Sequence, residues 1–109
     1  MELIQGSTYF LEFQLKDNGV IIDNNKVETV QFVLGTVDKR YPDRGVSYNA
    51  EKQKYIIDLT QQDTMVLEGK VLQQIRVKYK DGQVKSSKAT SVNVYNSITE
   101  AILWQSQLM

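Results

Sequence analysis

The stretch Gly69-Lys-Val-Leu-Gln-Gln-Ile-Arg-Val-Lys-Tyr-Lys-Asp-Gly-Gln-Val-Lys-Ser-Ser-Lys-Ala-Thr-Ser-Val-Asn-Val94 decides the fold. In its first arm, Lys70 to Tyr79, Val71, Ile75, Val77 and Tyr79 recur on alternate positions, with Gln73 the one polar member of that row. Leu72, Gln74, Arg76 and Lys78 fall on the opposite row. Successive side chains of a strand point to opposite faces, so this period of two predicts a half-buried β-strand. Lys80-Asp81-Gly82-Gln83 follows. Asp-Gly suits the two-residue type I′ turn, whose central residues both take positive φ. The return arm, Val84 to Val94, ends in the alternating Val92-Asn93-Val94. One long hairpin is predicted, forming the last two strands of an antiparallel sheet.

Upstream of it, Thr60-Gln61-Gln62-Asp63-Thr64 reads as a single helical turn. Thr60 is its N-cap, and Asp63 stands where a capping box carries Glu or Gln. Met65, Val66 and Leu67 are expected to plug one end of the core. Val46-Ser47-Tyr48 and Lys54 to Leu59 predict a second hairpin around Asn49 to Gln53, with Tyr55, Ile57 and Leu59 on one row. Tyr41-Pro42-Asp43-Arg44-Gly45 holds the only proline and reads as a loop. Val27 to Leu34 is a strand with Val30, Phe32 and Leu34 inward. Gly35 marks a bulge or bend that the strand continues past, through Thr36 to Lys39. Thr8 to Lys16 is the first strand, with Tyr9, Leu11, Phe13 and Leu15 on one face. Asp17-Asn18-Gly19 turns it into Val20-Ile21-Ile22, and Asp23 to Lys26 is a polar loop.

Downstream, Ser97-Ile98-Thr99-Glu100 has capping-box spacing and predicts a short helix over Thr99 to Gln105. Trp104, Leu108 and Met109 make this end more apolar than a free tail needs, and Ile102, Trp104 and Leu108 are the candidate interface residues. Trp is over-represented at binding hot spots; it serves equally to close the open end of the domain. The count is about seven strands at short, regular spacing. That predicts an all-β fold, an antiparallel β-sandwich or barrel over residues 1–96, with residues 97–109 as the helix and tail of the same single domain.

The composition narrows function mainly by exclusion. A chain of 109 residues suits one domain able to bury a modest core. Cys is absent, which removes disulfides and thiol chemistry and suits a reducing compartment. His is absent too, and with it the commonest general base and metal ligand. Thirteen basic and thirteen acidic side chains cancel, so no global field draws the chain to nucleic acid or an anionic membrane. No apolar run approaches a membrane span, and the N-terminus lacks the basic-then-apolar pattern of a signal peptide.

Four groups of residues could carry chemistry. Asp17, Asn18, Asp23, Asn24 and Asn25 offer oxygen ligands, but their spacing is not that of a calcium loop, and Asn and Asp are the ordinary residues of tight turns. Glu12, Glu28 and Asp58 are strand carboxylates on outer faces, with nothing to gather two of them across a cleft as glycoside chemistry requires. Lys70, Arg76, Lys78, Lys80, Lys85 and Lys88 form a basic set on the long hairpin, and Arg76, Lys78 and Lys80 point the same way. Such a patch could neutralise phosphates. It lacks interleaved outward aromatics for stacking, and lysine also blunts sheet edges, which disfavours nucleic acid as a partner. Tyr9, Phe13, Phe32, Tyr55 and Tyr79 occupy core positions; Tyr41 and Tyr48 are less constrained. No hydroxyl has a base to activate it and no phosphate loop exists, so no catalytic residue, cofactor or metal is expected.

The order Gln5-Gly6-Ser7-Thr8 before the Tyr9 to Lys16 strand, then Leu59-Thr60-Gln61-Gln62-Asp63-Thr64, Gly69-Lys70-Val71, Ile75 to Gly82 and Val92-Asn93-Val94 resembles a known group. It is similar to the small immunoglobulin-like structural domains of tailed bacteriophages and prophages of Gram-positive hosts, in particular the N-terminal domain of baseplate upper proteins. The resemblance implies an immunoglobulin-like fold and a non-enzymatic virion role in tail, baseplate or neck. It implies assembly in the host cytoplasm through contacts with other phage structural proteins or further copies of the chain. It brings no active-site residues. Baseplate upper proteins continue into long C-terminal receptor-binding regions, which this sequence does not include. The other reading of the residues is a small binding module for carbohydrate or nucleic acid; an enzyme inhibitor or adaptor stands third.

Overall fold

The computed structural model describes residues 1–98. Alternating apolar residues dominate it: 58% of residues are in strands and 8% are helical, so the fold is all-β. The strands are β1 (Glu2–Ile4), β2 (Tyr9–Phe13), β3 (Lys16–Asp17), β4 (Val20–Ile21), β5 (Val27–Leu34), β6 (Val37–Tyr41), β7 (Val46–Asn49), β8 (Lys54–Leu59), β9 (Gly69–Tyr79), β10 (Val84–Ser86) and β11 (Thr90–Tyr95). One short helix, α1 (Gln61–Met65), lies between β8 and β9. Eleven strands therefore replace the seven expected among the described residues, because several are only two or three residues long and carry no readable alternation.

The larger sheet runs β1-β11-β9-β5-β6, with β10 also on β9, and the smaller runs β2-β8-β7. β3 and β4 form a separate hairpin. The large sheet is mixed rather than antiparallel, since β1 joins β11 in parallel, Leu3 beside Val94. Both sheets turn their apolar rows to one core: Leu3, Val30, Phe32, Leu34, Val92 and Val94 from one, Val46, Tyr55, Ile57 and Leu59 from the other. The inward rows expected for β5 and β8 are among these buried residues.

The long hairpin forms, but its return arm is broken. β10 pairs Val84 with Lys78 and Ser86 with Arg76, while β11 pairs Thr90 with Gln73. Ser87, Lys88 and Ala89 thus stand against only Gln74 and Ile75, and the extra residue is a bulge. The turn also differs from expectation. Gly82 takes φ 94° and Asp81 is not among the positive-φ residues. Tyr79 N–H donates to Gln83 O at 2.8 Å and Gly82 N–H to Tyr79 O at 3.0 Å. This is the three-residue loop in which a turn is followed by a left-handed glycine. Positive φ at two successive turn residues occurs instead at Asn18 (52°) and Gly19 (80°), between β3 and β4.

Gly35 does not bend a continuing strand. Leu34 pairs with Val37, so Gly35 and Thr36 are the two-residue turn of a β5–β6 hairpin. Positive φ falls on Gly35 (57°) alone, the pattern of a II′ turn. The Thr60 cap is as read, and Asp63 completes it: Thr60 N–H donates to Asp63 Oδ2 at 2.8 Å and Asp63 N–H to Thr60 Oγ1 at 3.1 Å. The plug after α1 is Leu67 with Thr64, not all of Met65 to Leu67. Thr64 and Leu67 are buried, whereas Val66 is 66% exposed.

Candidate interaction surface

Arg76 and Lys78 lie on the outer row of β9 and Lys80 in the loop that follows, so the sequence places the three near one another. Two lysines of the basic set are paired with carboxylates. Lys78 Nζ is 3.4 Å from Glu28 Oε2, the residue bulged out of β5 where the β5–β9 register shifts. Lys85 binds Asp17 Oδ2 and sits 5.9 Å from the centre of the Tyr79 ring. The Asp17 hydrogen bond raises the Lys85 pKa above its ordinary value.

Ile102, Trp104, Leu108 and the predicted C-terminal helix lie outside the described residues.

The acidic and amide residues of the candidate metal group are each held in turns or contacts. Asp23 Oδ1 accepts from Asn25 N–H at 2.9 Å, and Asn24 Nδ2 donates to the Tyr55 hydroxyl at 2.8 Å. Among the described residues no three His, Cys, Asp or Glu side chains gather as a cation would require. Two of the strand carboxylates, Glu12 and Asp58, are diagonal neighbours on the exposed outer face of the small sheet, since Phe10 pairs with Asp58 and Glu12 with Ile56, while Glu28 lies on the large sheet. Glu12 is 3.9 Å from both Lys52 and Lys54. No helix among the described residues is long and apolar enough to cross a membrane.

Four of the aromatic residues form one cluster. Tyr55, 1% exposed, stacks on Phe13 at 5.5 Å, meets Tyr41 edge-on at 5.3 Å and Tyr48 at 4.8 Å. Burial raises the Tyr55 pKa, against the opposing Asn24 hydrogen bond. Tyr41 and Tyr48 are thus packing residues rather than a sugar platform.

The surface that the sequence did not disclose is the seam between the sheets. On the β6–β7 side they are joined, with Arg40 and Arg44 exchanging backbone hydrogen bonds at 2.7 Å. On the β2 side they part. A cavity of about 350 Å³ opens there between β2 (Leu11, Phe13), Phe32 and the β10–β11 break at Ser87. A second, of about 380 Å³, shares Phe13, Ile75 and Ser87 with it and runs on toward Leu15 and Tyr79. β2 borders the first cavity, and among the described residues β8 is its only sheet partner, so its other edge is open among them.

That edge is also chemically unguarded. Strand edges are commonly blunted by lysine, proline, bulges or shortness. Two edges of the large sheet follow this, since β6 carries Lys39 and Arg40 and β1 and β10 have three residues each; β7, the far edge of the small sheet, has only four residues. β2 reads Tyr-Phe-Leu-Glu-Phe, and Phe10 is 72% exposed on its outer row. The alternation of the first strand puts Phe10 with Thr8 and Glu12 on the face opposite Tyr9, Leu11 and Phe13, as found; the open edge depends on sheet order, which no local pattern encodes.

Comparison with protein-family models and with curated proteins finds no match to this chain.

Proposed function

We propose that this chain is a non-enzymatic structural protein of a tailed phage or prophage virion, an immunoglobulin-like β-sandwich that works through subunit contacts in the tail, baseplate or neck. The β-rich fold supports the reading, together with the resemblance carried by the order of strands and turns. The observation that carries it furthest is the five-residue β2 edge, mostly aromatic and apolar with Glu12 its single charge and unpaired among the described residues beside a seam, since strand addition at such an edge is a general way for β domains to join. Its partners on this reading are other phage structural proteins or further copies of itself, met in the host cytoplasm during assembly.

The test is mass spectrometry and immunogold labelling of tailed particles purified from the source strain after induction. The chain is expected at fixed stoichiometry in washed particles. Its absence from them, with hydrolase turnover in the purified protein, would count decisively against the reading.

The binding-module alternative gains no observation of its own. Lys78 and Lys85 are paired with carboxylates, and Tyr41, Tyr48 and Tyr55 pack on one another. Saturable oligonucleotide or glycan binding, lost when Arg76, Lys78 and Lys80 become Glu, would promote it over the virion role.

A further inference from the structure

We infer that the free edge of β2 pairs with the same edge of a second copy, antiparallel, about a two-fold axis at Leu11. The inference does not depend on a virion role.

The hydrogen-bonding groups come first. Asp58 N–H donates to Gly45 O at 2.9 Å, on the β7 side of β8. Asp58 therefore turns its backbone groups away from β2, and its partner Phe10 belongs to a non-hydrogen-bonded pair. Pairs of that kind alternate with bonded ones along an antiparallel ladder. Tyr9, Leu11 and Phe13 thus bond to β8, while the N–H and C=O of Phe10 and Glu12 face outward.

Those groups fix the register. With the axis at Leu11, Phe10 of one copy meets Glu12 of the other, and each pair exchanges two backbone bonds. Leu11 meets Leu11, and Tyr9 meets Phe13 twice. No other register about a two-fold pairs all five residues of β2. Centring on Glu12 would set two like charges directly opposite, which destabilises a strand pair.

The charge pattern agrees. Glu12 is the single charge of β2 and already has Lys52 and Lys54 within 3.9 Å, so pairing brings in no uncompensated charge. Aromatic cross-strand pairs add stability, and an interface in which both copies use the same patch closes as a dimer. The patch is short, which makes the dimer concentration-dependent rather than permanent.

Sedimentation equilibrium of the full chain tests this. The average mass is expected to rise from 12.5 kDa toward twice that value over roughly 10 µM to 1 mM. Phe10→Glu puts Glu against Glu12 at both pairs and should weaken association about tenfold or more. Phe10→Lys puts Lys against Glu12 and should keep the dimer. Phe10 is exposed but stands opposite Asp58, so Phe10→Glu also sets two carboxylates side by side within one copy, and circular dichroism with a urea midpoint checks that both variants stay folded across the concentrations used. A wild-type chain monomeric throughout overturns the inference. So does an oligomer indifferent to Phe10→Glu, or one that both variants abolish equally. None of these results touches the particle experiment above.

Discussion

Ser87 takes both backbone hydrogen-bonding groups of Ile75, one with its own backbone and one with its side chain. The Ser87 amide donates to Ile75 O at 2.8 Å, and the Ile75 amide donates to Ser87 Oγ at 3.0 Å. The hydroxyl stands in for the carbonyl that the bulge carries out of register. Gln74 Nε2 captures that displaced carbonyl, Ser87 O, at 2.9 Å. Both backbone groups of Ile75 thereby stay bonded across the break, which opens the seam without leaving strand β9 unsatisfied there.

Replacing Ser87 with Ala removes this substitute acceptor. A lost hydrogen bond of this kind costs about 1 kcal/mol. Denaturant unfolding should show that loss, and hydrogen exchange should show faster exchange at the Ile75 amide while Val77, deeper in the strand, is unchanged.

Asp63 joins the cap of α1 to the strand edge. It accepts from Thr60 and lies 2.7 Å from Lys39 Nζ, with both side chains largely buried. Burial pushes its pKa up, but the Lys39 and Thr60 hydrogen bonds outweigh it and hold the carboxyl below its ordinary 3.8. A carboxyl depressed on folding adds stability that is complete above its unfolded pKa and lost as pH falls through the folded one. Asp63→Asn should therefore cost stability at pH 7 and flatten the acid limb of the stability profile below pH 3.8. Thermal unfolding across a pH series measures both.

How much of this was legible in the sequence varies with the kind of signal. Val27 to Leu34 and Lys54 to Leu59 were readable because each is long enough to show alternation, and Thr60 because its cap is a local device. β1 was not readable: Glu2 to Ile4 holds one inward residue, Leu3, and its parallel partner is some ninety positions away. The Asp81-Gly82 and Asn18-Gly19 turns share a composition class, and only the pairing of the flanking strands separates a three-residue loop from a two-residue one. A single glycine fits both a bulge and a hairpin, and only the pairing of Leu34 with Val37 separates the two at Gly35. Glu28 and Asp17, which pair Lys78 and Lys85 of the basic set, come from strands distant in the sequence, so no local pattern announces them. The open edge of β2 follows only from sheet order.

Tyr55 anchors the aromatic cluster from beneath. Tyr55→Phe keeps the rings but leaves Asn24 without its acceptor, a loss of about 1 kcal/mol. Tyr55→Ala also opens a cavity and should cost about 3–5 kcal/mol. The raised phenol pKa adds a pH signature: wild-type stability should fall as pH rises above 10.0, and Tyr55→Phe should blunt that fall. Chemical unfolding between neutral and alkaline pH separates the two variants.

Gly45 lies beneath Lys39. A Cβ there would come 2.6 Å from Lys39 Cδ, at a φ of +83° that L side chains rarely adopt. Gly45→Ala should destabilise by more than about 1 kcal/mol and displace the ammonium from Asp63. Combined with Asp63→Asn it should cost less than the sum of the two, as coupled neighbours do. A double-mutant cycle in urea reads this directly.

The central claim is that this molecule acts through an open strand edge, and residue-resolved hydrogen exchange of the full chain at low and high concentration tests it most directly. The Leu11 amide, bonded to β8, should be protected at both concentrations, while the Phe10 and Glu12 amides should exchange freely when dilute and become protected when concentrated. Phe10 and Glu12 amides that exchange equally fast at both concentrations would contradict the claim, as would protection that grows elsewhere on the surface but not on β2.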